Sequence, residues 1–160
     1  MKNIITVTTN NLRAALPALL PKAIAWAEAQ HAHISETGAP LNDAMLAAAR
    51  SVGVQHPELI RLAEVPRLAL PEDPELKRAA LDAGLFGASM IGMTFGYGVY
   101  VCHGHANVQL LSHEFRHVQQ HEQAGSIAVF LPTSLEQVIS VGYHDAPFEV
   151  DARAHEINHD

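Results

Sequence analysis

Along residues 107–125, NVQLLSHEFRHVQQHEQAG, apolar side chains recur at Val108, Leu111, Phe115 and Val118. These are the three- and four-residue steps of a helix that buries one face. Asn107 supplies an N-cap ahead of that run, and Gly125 behind it suits the left-handed residue that closes a helix. The pattern therefore predicts one amphipathic helix between them. PKAIAWAEAQHAHI sets Ile24, Trp26 and Ala27 against a polar face, which predicts a helix starting with Pro21 in its first turn and Trp26 in the core. LNDAMLAAARSVGV reads as a helix capped by Asn42 or Asp43 and stopped at Gly53, and DPELKRAALDAG as a short helix from Asp73 to Gly84. PELIRLAEVPRLALP alternates apolar and polar positions until Pro66 and Pro71 break it, so it holds a short strand. SIAVFLPTSLEQVIS predicts a further helix. After it, DAPFEVDARA starts a short one, with Asp145 as cap and Pro147 in the first turn.

Residues 83–102 carry no charge, a run long enough to cross a bilayer as a helix. Its glycines, at 84, 87, 92, 96 and 98, suit a lone span poorly, and the β-branched and aromatic residues of MTFGYGVYVC favour a strand. A loop and then a strand near 94–102 is the reading, not a membrane segment. Taken together the elements predict a mostly helical α+β protein, and 160 residues without a linker fit one domain over 1–160.

Charge and cysteine usage narrow the partners. Lys plus Arg number 10 against 17 Asp plus Glu, a net charge of -7, which argues against nucleic acid. Cys102 is the sole cysteine, so there is no intrachain disulfide, and MKNIITVTTNNLR lacks the apolar core of a signal peptide. A cytoplasmic location is expected, with leaderless export left open.

The chemistry lies in the helix already described. His113 and His117 are one turn apart on one face, so their imidazoles can converge on a single zinc ion, while Glu114 stands one position round, within reach of a water on that ion. Two neutral imidazoles to hold a metal and a carboxylate to take a proton are what a zinc hydrolase requires. HEINHD, at the chain end, repeats the His-Glu-x-x-His spacing. With 11 histidines present, about 0.05 chance matches are expected, so position decides between the copies. The first sits within an apolar helical frame and the second in the last six residues, where chains fray, so the first is the candidate. A catalytic zinc usually has three protein ligands. Glu149, near the start of the last helix, is the best third donor, with Asp151 rotated away from it. Cys102, His103 and His105 form CHGH, which after a strand reads as a turn, and His121 reads as an exposed polar residue.

LLSHEFRHVQQHE followed by GYHDAPFEVDARA resembles the minimal zincin metallopeptidases of the gluzincin type, in which a His-Glu-x-x-His helix precedes a Glu-x-x-Ala helix. The likeness covers about residues 90–156. It implies a zincin-like fold with a short sheet packed on the motif helix, His113, His117 and Glu149 as zinc ligands, Glu114 as catalytic base, and a peptide or protein substrate. It also implies that MTFGYGVYVC forms an edge on which an extended peptide aligns. Families of this type sometimes use Tyr or His to meet an oxyanion, a role Tyr143 would fill here unless it only packs. Where several such families continue the second motif with Asp, this chain has Arg153, so support for a zinc histidine has to come from Asp151 or another carboxylate. Two rival readings are a non-catalytic zinc-bound binding module and a di-iron carboxylate bundle. The latter would use Glu114/His117 and Glu156/His159 with Glu28 and Glu75.

Overall fold

The computed structural model describes residues 2–87 and 89–158. The elements in order are α1 (Lys2–Thr37), β1 (Ala39–Pro40), α2 (Asp43–Ser51), β2 (Arg61–Val65), α3 (Pro74–Asp82), β3 (Gly92–Phe95), β4 (Gly98–Cys102), α4 (Val108–Ala124), α5 (Ile127–Val141) and α6 (Pro147–Ala154). The protein is α+β, mostly helical, with one small mixed sheet of four strands in the order β1-β2-β4-β3.

Side-chain caps set most helix starts. Asn42, Asp73, Asn107 and Ser126 each accept a hydrogen bond from the backbone N–H three residues on, at the heads of α2, α3, α4 and α5. Gly125, at φ 98°, ends α4 in the left-handed conformation that glycine adopts without penalty. α1 departs from expectation by running through Pro17 and Pro21 instead of starting at Pro21. A proline inside a helix removes a backbone hydrogen bond and strains the turn before it. The helix continues because Leu19, Ala23, Ala27 and Ile34 form one buried stripe against α3, α5 and the sheet.

The expected single strand near 94–102 is instead a hairpin. Gly96, at φ 62°, and Tyr97 form a two-residue turn, and Thr94 pairs with Val99 across it. β4 lies at the centre, parallel to β2 and antiparallel to β3, with both faces covered, which is why its sequence is apolar at successive positions. Val99 and Val101 join Ala49, Ile60, Phe115 and Val118 in the core beneath α2 and α4, while Tyr100 packs with Ala27, Ile34 and Phe95 beneath α1. β3 is left as the outer strand of the sheet, running beside α4. The described residues of 83–102 thus form a loop and a hairpin, and among the described residues no single helix is long and apolar enough to cross a membrane.

Candidate metal centre

α4 presents His113 and His117 on the same side, with ring centroids 4.9 Å apart. A bend of 117° between α4 and α5 turns the chain back, and α6 then lies against α4. Pro147 opens α6, and the first turn carries Glu149 to the two imidazoles. Its Oε2 is 2.8 Å from His117 Nε2 and its Oε1 is 3.3 Å from His113 Nε2. The ligand atoms all lie within 4.8 Å of one another, the one such group of three or more His, Cys, Asp or Glu among the described residues. Donors bound at about 2.0–2.2 Å around one tetrahedral ion stand roughly 3.3 Å apart, so three donors gathered this closely could hold a metal ion.

Asp145 does not cap α6 as the sequence suggests. It pairs with its exposed neighbour His144, and the Phe148 N–H is met instead by Gln137 Oε1 of α5 at 2.9 Å. A side chain from the preceding helix therefore meets this first-turn N–H, which the residues at the start of α6 do not reveal.

Glu114 lies beside the cluster, its Oε2 4.0 Å from His113 Nε2. Thr94 Oγ1 donates to Glu114 Oε1 at 3.0 Å, and a Cβ on Gly92 would stand only 3.1 Å from the Glu114 carboxyl carbon. β3 thus fixes this carboxyl from one side. Thr94 and Gly92 have no sequence signature as site residues; the glycine in GMTF is the sole hint.

Charges in the metal-free cluster are tightly coupled. Burial lowers the His117 pKa, but the Glu149 hydrogen bond and the Glu149 and Glu114 charges outweigh it and raise the value to about 9. His113 is raised in the same way: burial works against protonation, and the Glu149 hydrogen bond, the Glu114 charge and Glu156 prevail. For Glu149, burial pushes upward, yet the two histidines hold it well below the usual carboxylate range. Glu114 moves the other way, raised chiefly by burial and further by Glu149. Protons on the imidazoles balance the carboxylates, and a bound cation would take their place.

Both imidazoles are held from behind. His113 Nδ1 donates to Glu156 Oε2 at 3.0 Å, and His117 Nδ1 donates to Gln120 Oε1 at 2.8 Å. Gln120 Nε2 in turn donates to Phe148 O and to Asp151 Oδ2, and Arg116 Nε donates to the same Asp151 oxygen at 2.8 Å. The family pattern implies Asp151 or another carboxylate as the supporting group. Asp151 acts one step removed, through Gln120, and Glu156 makes the direct contact. Glu156 belongs to the second His-Glu-x-x-His copy, which the sequence reading sets aside as a fraying end. α6 stops at Ala154, and the chain beyond it folds back onto α4, with Ile157 N donating to Ser112 Oγ at 2.8 Å and the Ile157 side chain packed on the core.

Of the remaining candidates, Tyr143 lines the cleft with Glu114 and Glu149, and burial, reinforced by those two carboxylates, keeps its phenol protonated. His103 sits in the turn after β4, 3.6 Å from Glu64, and His105 is exposed in the same turn, both outside the cluster, as is Cys102. Glu28 and Glu75 are exposed on α1 and α3 and do not enter the site, while His159 lies outside the described residues. Trp26 is half-buried, edge-on to Phe95 and Phe86. His121 is not exposed. It is buried against Phe130, ring centroids 3.8 Å apart, with Nδ1 donating to His117 O, and burial lowers its pKa to about 4. The bend into α5 covers this position, which helical periodicity within α4 alone does not foretell.

Family models, curated proteins and solved structures were each compared with the chain, and none matches it.

Proposed function

We propose that this chain is a zincin-like, zinc-dependent metallopeptidase that hydrolyses a peptide bond. The observation that carries the reading is the meeting of His113 and His117 from α4 with Glu149 from α6 at ligand spacing, with Glu114 beside them but outside the donor set. Zinc held there would supply Lewis acidity, lowering the pKa of a water and polarising the scissile carbonyl.

The protein's own groups supply the rest. Glu114 accepts a proton from the attacking water and returns it to the departing nitrogen. Its raised pKa moves toward neutral pH, the direction that favours such a shuttle. Tyr143, held protonated at the cleft, is positioned to donate to the oxygen that gains charge. β3 has no strand partner on its outer side among the described residues, so an extended substrate can add there beside Glu114.

Replacing Glu114 with Gln is the test. The amide keeps the shape but cannot take the proton, and general acid–base help of this kind is worth about 10²–10⁴-fold. Glu114→Gln should keep its zinc and cleave a parent substrate from a peptide library at least about a hundredfold more slowly. Equal cleavage by parent and variant would remove Glu114 as the base.

A further inference from the structure

Behind the cluster lies a cavity of about 190 Å³ whose wall is almost entirely apolar. It is bounded by α1, α3 and α5 and by the segment after α3, and Glu114, His117, His121 and Glu149 supply its ionisable lining. No Lys or Arg lines it among the described residues. An apolar cavity of about 150 Å³ already holds a benzene ring.

Its shape follows from the two long helices. On α1 the lining residues run from Leu12 to Ala27 along one face, and on α5 from Ile127 to Ile139. At 1.5 Å per residue the α1 wall is about 22 Å long, more than any amino-acid side chain spans. Alanines, with Ser134 on α5, leave the room, notably Ala23 and Ala27 on α1 and Ala79 on α3. The lining therefore extends along both helices from the reacting groups, as a slot for a chain would.

We infer that the amide cleaved at this site carries a long, uncharged alkyl chain on its carbonyl side, as in a fatty-acylated amino acid or peptide, and that the chain lies in this slot. The inference rests on the hydrolase reading above and names its substrate class. The absence of cations along the wall excludes a buried anionic headgroup, and the carboxyl and imidazole end places the acyl carbonyl beside Glu114. In the reaction, water adds its oxygen to the acyl carbon and the C–N bond breaks. Glu114 carries the proton to the nitrogen, and a fatty acid and an amine leave.

The fatty acid product gives a direct probe. Straight-chain carboxylates from butanoate to tetradecanoate are titrated calorimetrically into the zinc-loaded full chain. Affinity should rise about fourfold per added methylene until the slot is full. Ala79→Phe and Ser134→Phe, which fill the slot away from the cluster, should each flatten that rise while binding zinc and butanoate like the parent. An affinity independent of chain length, or a rise that survives in a folded filled variant, would overturn the inference. A chain-length rise in zinc-loaded protein that cleaves neither peptides nor fatty-acyl amides would instead leave the slot standing and remove the hydrolase reading.

Discussion

Replacing Glu156 with Ala should weaken zinc binding although Glu156 is not a ligand. Its Oε2 accepts from His113 Nδ1 at 3.0 Å, which leaves Nε2 turned toward Glu149 and free to ligate, and its Oε1 is held by Gln109. Losing a partner of this kind typically costs 10–100-fold in metal affinity. The Glu156 side chain is 19% exposed, so water replaces part of the lost contact and the lower end applies, about tenfold, or about 1.4 kcal/mol. The assay is competition for zinc against a chelator of known affinity, with melting of the zinc-saturated protein as the control for folding. Glu156→Gln keeps an acceptor without the charge and should lose less. A Glu156→Ala protein that is folded and binds zinc as tightly as the parent would refute this account of the chain end. A truncation after Ala154 should also weaken binding, because it removes Glu156 together with the Ile157 anchor.

Two further outcomes follow from the geometry at β3 and from the coupled charges. Gly92→Ala places a methyl against the Glu114 carboxyl, so kcat should fall about tenfold while zinc content, measured by metal analysis, is unchanged. The His117 pKa is raised from 6.5 to about 9, so protonation stabilises the metal-free protein fully below pH 6.5 and is lost as pH rises through about 9. Chelator-treated protein should accordingly melt lower at pH 9.5 than at pH 6.5. Zinc affinity should rise over the same interval, because fewer protons then have to leave.

Short-range rules carried the reading of much of this fold. Asn107 and Gly125 bracket α4 because cap chemistry is local, and Asn42 and Asp73 open α2 and α3 for the same reason. The His-Glu-x-x-His spacing brought His113 and His117 to one face by helical geometry alone. Glu149 reaches the histidines only because α5 returns the chain against α4, and that packing is not written in any local pattern. The misreadings share this origin. Pro21 reads as the first turn of a helix, yet α1 runs through it because α3 and α5 bury the stripe around it, and His121 looks exposed until Phe130 covers it. Glu156, two residues beyond the last helical residue of α6, belongs to no periodic element, and only the fold-back onto α4 brings it to His113.

Metal analysis of the purified protein tests the central claim most directly. Parent protein should carry about one zinc per chain, the stoichiometry of a single three-ligand catalytic site. His113→Ala, His117→Ala and Glu149→Ala should each lose it while retaining helical circular dichroism. Two irons per chain, or zinc retained at full occupancy in folded Glu149→Ala, would contradict the assignment of His113, His117 and Glu149 as one zinc site.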